Sequence, residues 1–327
     1  MSSARLKAGD WVVVRSKEEI LATLDKRGRL DGLPFMPEML KHCGQRVRVS
    51  KRAHKTCDPP SGIASRRMRN AVHLDDLRCD GQAHGGCQAG CLIFWKEAWL
   101  KPVQSATVDG SRSPPAGACT EEDVWSGTRR EGAGSEGSDP AYVCQSTQVP
   151  AATEPLAWWD VRQYVEDYVS RNVRLGQLLA ALLFTVYSAL AEAGVGLGAP
   201  LRWAYDQFQS IRGGALYPVR RGRIQPGQVT PADLLGLAPG DRVRVKEFNE
   251  ILGTLNDKAH NRGMYFDGEQ VPFCGKTYRV LRRVERIIDE KTGRLVKLKS
   301  DAIILADVVC EARYATCRRF CPRGIFP

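Results

Sequence analysis

No stretch of twenty apolar residues occurs in this 327-residue chain. A membrane-spanning helix needs about that many, so a full span is not expected. The opening residues hold no apolar run before Gly9, so no secretory signal is expected there. Several enzyme signatures are missing as well. There is no Gly-rich phosphate cradle, no dinucleotide fingerprint, no nucleophile elbow and no His-Glu-x-x-His pair. The glycines at 194, 196 and 198 follow no strand-like run and read as a helix breaker. These absences leave no small-molecule substrate to infer.

Acidic charge is also short, with 37 Asp and Glu against 48 Lys and Arg, a net charge of +11. Residues 1–101 hold 19 basic against 11 acidic side chains, and residues 216–327 hold 21 against 13, a balance of +8 in each. The stretch between them is slightly acidic. Two basic ends fit an anionic partner, although a basic surface also keeps a protein soluble.

The two basic ends resemble each other. Residues 9–79 overlay residues 240–310 at a constant offset of 231 without a gap. Gly9-Asp10 falls on Gly240-Asp241, Glu19-Ile20-Leu21 on Glu250-Ile251-Leu252, Cys43-Gly44 on Cys274-Gly275 and Cys79 on Cys310. Within each copy, β-branched runs such as Trp11–Arg15 and Arg46–Arg52 predict strands, and Lys17–Leu24 predicts one short helix. The expected fold class is α+β: two copies of a small SH3-like, partly open β-barrel domain, each with a four-cysteine cluster. Copy one covers residues 1–103 and copy two covers 216–327. The second copy lacks a counterpart to the aromatic segment Phe94–Leu100 and is expected to be the less stable one.

Residues 104–153 are rich in Ser, Gly, Thr, Glu and Pro and read as a disordered linker. Residues 154–215 read as a helical module. Val161, Tyr164, Val165 and Tyr168 share one face of its first helix. Leu175–Ala191 runs for seventeen residues without a charge, and a buried helix of a small bundle is the expectation, with peripheral membrane contact through 175–201 as the alternative.

Eleven cysteines without an export signal point to a reducing, cytoplasmic compartment, or to association with a membrane there. Each copy carries a Cys-Gly and then a tight trio: Cys43, Cys79, Cys87 and Cys91 in the first, Cys274, Cys310, Cys317 and Cys321 in the second. Four thiolates suit one tetrahedral zinc, giving two zinc sites. Four cysteines also hold an iron–sulfur cluster, though the x3 spacing departs from the common x2 runs. Buried small hydrophobes or disulfides are the third reading. Cys119 and Cys144 have no counterpart in copy two and are not expected to be ligands. His54 with Cys57 is the one candidate catalytic pair. Glu38 and Glu269 share a position and read as site acids or as cap and salt-bridge groups.

Arg46, Arg48 and Arg52 in copy one, and Arg279, Arg282 and Arg283 in copy two, form the candidate surface for an anionic partner. Nucleic acid is one such partner, with weak aromatic support. The sequence thus predicts a non-catalytic, metal-stapled binding or scaffold protein that engages a protein or anionic partner through two similar modules. An iron–sulfur or Cys/His-dependent enzyme or electron carrier is the alternative.

Overall fold

The computed structural model describes residues 5–58, 63–103, 119–130, 140–232, 235–310, 313–314 and 323–326. The chain divides into two compact units. Unit 1 is built on Met1–Leu178 together with Arg286–Lys297, and unit 2 on Leu179–Glu285 with Leu298–Arg318.

In unit 1 the strands are β1 (Trp11–Val14), β2 (Arg29–Leu30), β3 (Leu33–Pro34), β4 (Arg46–Arg52), β5 (Lys55–Asp58), β6 (Ile63–Met68), β7 (Ala71–Leu74), β8 (Trp95–Lys96), β9 (Leu100–Pro102) and β10 (Thr153–Pro155). The helices are α1 (Lys17–Leu21), α2 (Pro37–Leu40), α3 (Glu121–Ser126), α4 (Gln145–Ala152) and α5 (Arg162–Val169). An antiparallel sheet in the order β8-β7-β4-β1-β9 carries the core, and β10-β6-β5 forms a second sheet. Val12 and Val14 alternate inward from β1, as a half-buried strand requires. A Ser16/Glu19 capping box starts α1. Trp95 and Trp99 share no helix. They flank a strand and a 3-10 turn, and both pack edge-on against Phe35 in the core.

In unit 2 several backbone contacts of unit 1 have counterparts at equivalent sequence positions. Its strands are β11 (Arg242–Arg244), β12 (His260–Asn261), β13 (Met264–Tyr265), β14 (Thr277–Ile288), β15 (Leu295–Val309) and β16 (Arg323–Phe326). They are preceded by α6 (Leu175–Glu192), which begins in unit 1, and α7 (Gly198–Arg212), and accompanied by α8 (Phe248–Leu252). The Gly9 N–H bonds the Val49 carbonyl at 2.8 Å, and the Gly240 N–H bonds the Val280 carbonyl at 2.8 Å. Val14 to Gln45 (3.0 Å) is matched by Val245 to Lys276 (2.9 Å), and Phe35 to Gly28 (2.9 Å) by Phe266 to Ala259 (2.8 Å). Trp11 faces Arg48 across β1 and β4 as Arg242 faces Arg279 across β11 and β14. The architecture is mixed α and β with several antiparallel sheets. None of them closes into a barrel among the described residues.

Two expectations change. Residues 119–130 and 140–153, inside the expected linker, fold into α3 and α4 and add Cys119, Val124 and Val149 to the unit 1 core. Few apolar anchors suffice there because each lands in a site the sheet already provides. The helix α5 also presents the opposite face from the one its pattern suggests. Its polar residues Gln163 and Asp167 are buried, while Val161, Val165, Tyr168 and Val169 are exposed. The reason lies in β4 and β5, which bury Arg52, His54 and Lys55. Asp167 pairs with the fully buried Lys55 ammonium and lies 3.3 Å from His54 Nε2, while Glu166 takes Arg52 Nε at 2.9 Å. A buried charge has to be paired or it unfolds its surroundings.

Two outcomes follow for stability. Asp167→Ala leaves the Lys55 ammonium buried and unpaired, and unit 1 loses about 3–5 kcal/mol in urea melts. Pairing it with Lys55→Met recovers most of that loss, which a mere packing defect would not allow. Burial also pushes the His73 pKa from its ordinary 6.5 down to about 4. The unfolded chain therefore takes up a proton that the fold excludes. Stability falls as pH drops through the window from 6.5 to 4, by about 3 kcal/mol at its lower end. Melts across that range show the decline, and His73→Gln removes this share of it.

Candidate metal centre

The loop from Cys79 to Cys91 is built by glycines. Gly81, Gly85, Gly86 and Gly90 all have positive φ, between +63° and +75°. A 3-10 turn at Gln82–His84 sits between the first two. The Cys79 N–H bonds the Cys91 carbonyl at 2.9 Å, which closes the loop on itself. At Gly81 a side chain has no room, since a Cβ would stand 2.0 Å from the Cys87 carbonyl oxygen.

Cys144 reaches this loop from the start of α4. The next residue, Gln145, is buried and makes three backbone contacts. It accepts from the Phe94 N–H at 2.7 Å and donates to the carbonyls of Phe94 (2.9 Å) and Pro34 (3.0 Å). Cys79, Cys87, Cys91 and Cys144 then line one cavity of about 30 Å³, with Met36, Leu92 and Ile288 as its apolar wall. Cys79 is thus joined by the other two loop cysteines and by one that sequence spacing excluded.

Backbone donors surround the sulfurs. The Ile288 N–H points to Cys87 Sγ at 3.4 Å, and the Ser146 hydroxyl to Cys91 Sγ at 3.5 Å. Backbone hydrogen bonds from Thr147 and Ser146 act on Cys144, and one from Gly81 acts on Cys79. Such donors favour thiolate, but burial outweighs them. It raises the Cys91 thiol to about 12 and Cys144 to about 11, and pushes Cys79 further up with the Glu38 carboxylate beside it. A metal ion that displaces the protons would supply the positive charge these sulfurs lack.

Among the described residues, the group of candidate metal ligands whose atoms all lie within 4.8 Å of one another is Glu38, Cys79 and His84. Glu38 Oε1 is 2.7 Å from His84 Nδ1, 3.1 Å from the Ala83 N–H and 3.9 Å from Cys79 Sγ. The other ring nitrogen of His84 meets the Val143 carbonyl at 3.1 Å. With both nitrogens engaged, His84 orients the Cys79 loop rather than activating its thiol. Glu269 does the corresponding work in unit 2, where it accepts the N–H groups of Arg313 (2.7 Å) and Tyr314 (2.6 Å).

The remaining sequence candidates fall elsewhere. Cys43 borders the apolar core, and its charged neighbours are Glu18, Lys17 and Glu121; it does not line the cavity that Cys144 lines. Cys274 likewise packs beside the Phe248–Phe266 cluster, where burial raises its thiol to about 12. Cys310 is half-buried, and Cys317 and Cys321 lie outside the described residues. The nine described cysteines are all free thiols. His54 Nε2 lies 3.3 Å from Asp167 and 3.3 Å from the Gln163 carbonyl, on the side of α5. Arg52 is buried against Glu97, Glu166 and the Leu6 carbonyl and cannot meet a partner. Arg46 and Arg48 are exposed on β4, Arg46 lying 4.9 Å over the Trp11 ring. Arg279 is exposed on β14, Arg282 is half-buried, and Arg283 donates to the Leu237 carbonyl at 3.2 Å.

Comparison of the chain with protein-family models, with curated proteins and with solved structures found no match.

The glycines supply a graded test. Gly81→Ala meets backbone and a left-handed φ together, so the loop opens and its thiols become reactive towards a disulfide reagent in the native protein. Gly86 has φ +75° but nothing within 4 Å of an added Cβ. Gly86→Ala therefore costs only about 1–2 kcal/mol and leaves the thiols shielded.

Proposed function

We propose that unit 1 is a zinc-stapled, non-catalytic binding module, and that the zinc is held by Cys79, Cys87, Cys91 and Cys144. The lining of one cavity of about 30 Å³ by four thiols carries this reading; their sulfurs would draw together onto the ion. A space of that size suits a single ion rather than a cluster of several irons and sulfides. Closed four-thiolate sites are structural, because no coordination position is left for substrate. Glu38 and His84 act as the outer groups that hold the first ligand in place.

The partner we propose is anionic. Arg242 stands directly opposite Arg279 on paired strands, an arrangement that costs stability unless negative charge is brought to it. The recurrence of backbone hydrogen bonds at an offset of 231 supports a duplicated module, so that two similar surfaces act on one ligand and raise its effective concentration.

Metal analysis of the chain purified without air tests the site. The expected result is a colourless protein with a zinc that Cys144→Ser removes and Cys43→Ser retains. Iron with visible absorbance would replace this reading with a redox centre. An absence of any metal would leave the thiols as core.

A further inference from the structure

The helix α6 is uncharged up to its last residue, Glu192, yet only 11% of its most apolar window is buried. The expectation of a buried bundle helix does not hold. Leu175, Leu179, Leu182, Leu183, Val186 and Leu190 are all exposed. At about 100° per residue these six positions fall in a single stripe about 100° wide. The other side of the helix is anchored. Ala181 and Ala191 are buried, and Phe184 packs against Tyr205, Tyr217 and Tyr314 with ring centroids 5.8, 6.1 and 5.1 Å away. The Tyr187 hydroxyl donates to the Leu201 carbonyl. A helix clasped on one side cannot be surrounded by lipid, so its apolar stripe is suited to lying along a bilayer rather than crossing it.

The hairpin partner α7 adds exposed Trp203, Phe208 and Ile211. The Arg212 guanidinium stands 5.2 Å from the Phe208 ring, a pairing that lets the cation stay in water while the ring descends. The two acids of the hairpin are engaged within the protein. Glu192 accepts from the Tyr217 and Ser188 hydroxyls, and Asp206 pairs with Arg220 and accepts the Tyr217 N–H. Arg171 and Arg174, both exposed, immediately precede α6 in the chain. Charge at the start of the stripe is therefore positive, with Arg171 also 3.9 Å from Asp10, and no charge lies within the stripe.

We propose that the α6–α7 hairpin docks flat on a bilayer containing anionic lipid. The leucine stripe enters the acyl boundary, and Trp203 and the arginines sit among the headgroups. This inference stands apart from the zinc reading, and the far-UV circular dichroism of the chain serves as its folding control.

Flotation of the full chain with phosphatidylcholine vesicles, with and without phosphatidylglycerol, tests it. The chain is expected to float with the anionic vesicles and to need roughly tenfold more of the neutral lipid. Leu183→Glu with Val186→Glu abolishes flotation while the far-UV circular dichroism stays unchanged. Failure to float with anionic vesicles overturns the proposal, as does equal flotation of the double variant. A dimer in solution that the double variant dissociates would assign the stripe to a second copy instead. Association that survives alkaline extraction would show an embedded helix and would also overturn flat docking.

Discussion

Three hydrogen bonds made by one side chain hold the thiol cavity together. The Gln145 amide satisfies the Phe94 N–H and two carbonyls in a place water does not reach. An unmet backbone group there would cost about 1–3 kcal/mol, so the Gln145 amide and the chain it bridges are specified together. Since Cys144 is the adjacent residue, fixing Gln145 fixes the fourth sulfur. The helix α4 has little amphipathic character and a proline at position 150, so apolar packing alone would not hold it in this place. A single polar anchor does.

Much of the scaffold was legible in the sequence. The offset of 231 and the positions of β1, α1 and β4 could be read because alternating valines, caps and glycines are local features. The glycine-rich loop and three of the four thiols were legible for the same reason. Cys144 was not. It lies 53 positions from Cys91 along the chain, in a segment whose composition signals solvent. What places it is the burial of Gln145, a contact with no local signature. Weighting the cysteines by repetition pointed to Cys43 and Cys274, which lie partly buried beside the apolar clusters.

Helix orientation failed for a related reason. Periodicity identifies an apolar face but not the surface it meets. The helix α5 was expected to bury Val161, Val165 and Tyr168. The strands beneath it instead present Arg52, His54 and Lys55, so the acids turn inward and the valines outward. In α6 the same limit applies, since the aromatic rings that clasp Phe184 come from Tyr205, Tyr217 and Tyr314, well along the chain. Buried charge overrides hydrophobic pattern because an unpaired ion costs more than an exposed valine.

The Ile288 N–H that reaches Cys87 belongs to a hairpin tip that unit 1 draws from near the end of the chain. During synthesis, the first strands, the glycine loop and Cys144 all leave the ribosome well before it. Unit 1 therefore cannot be completed as an N-terminal domain while the rest is being made. Its thiol loop waits, partly assembled, until Ile288 has been translated, which at about 5–20 residues per second is roughly 7–30 seconds after Cys144. Over that interval the sulfurs depend on a reducing environment to remain available.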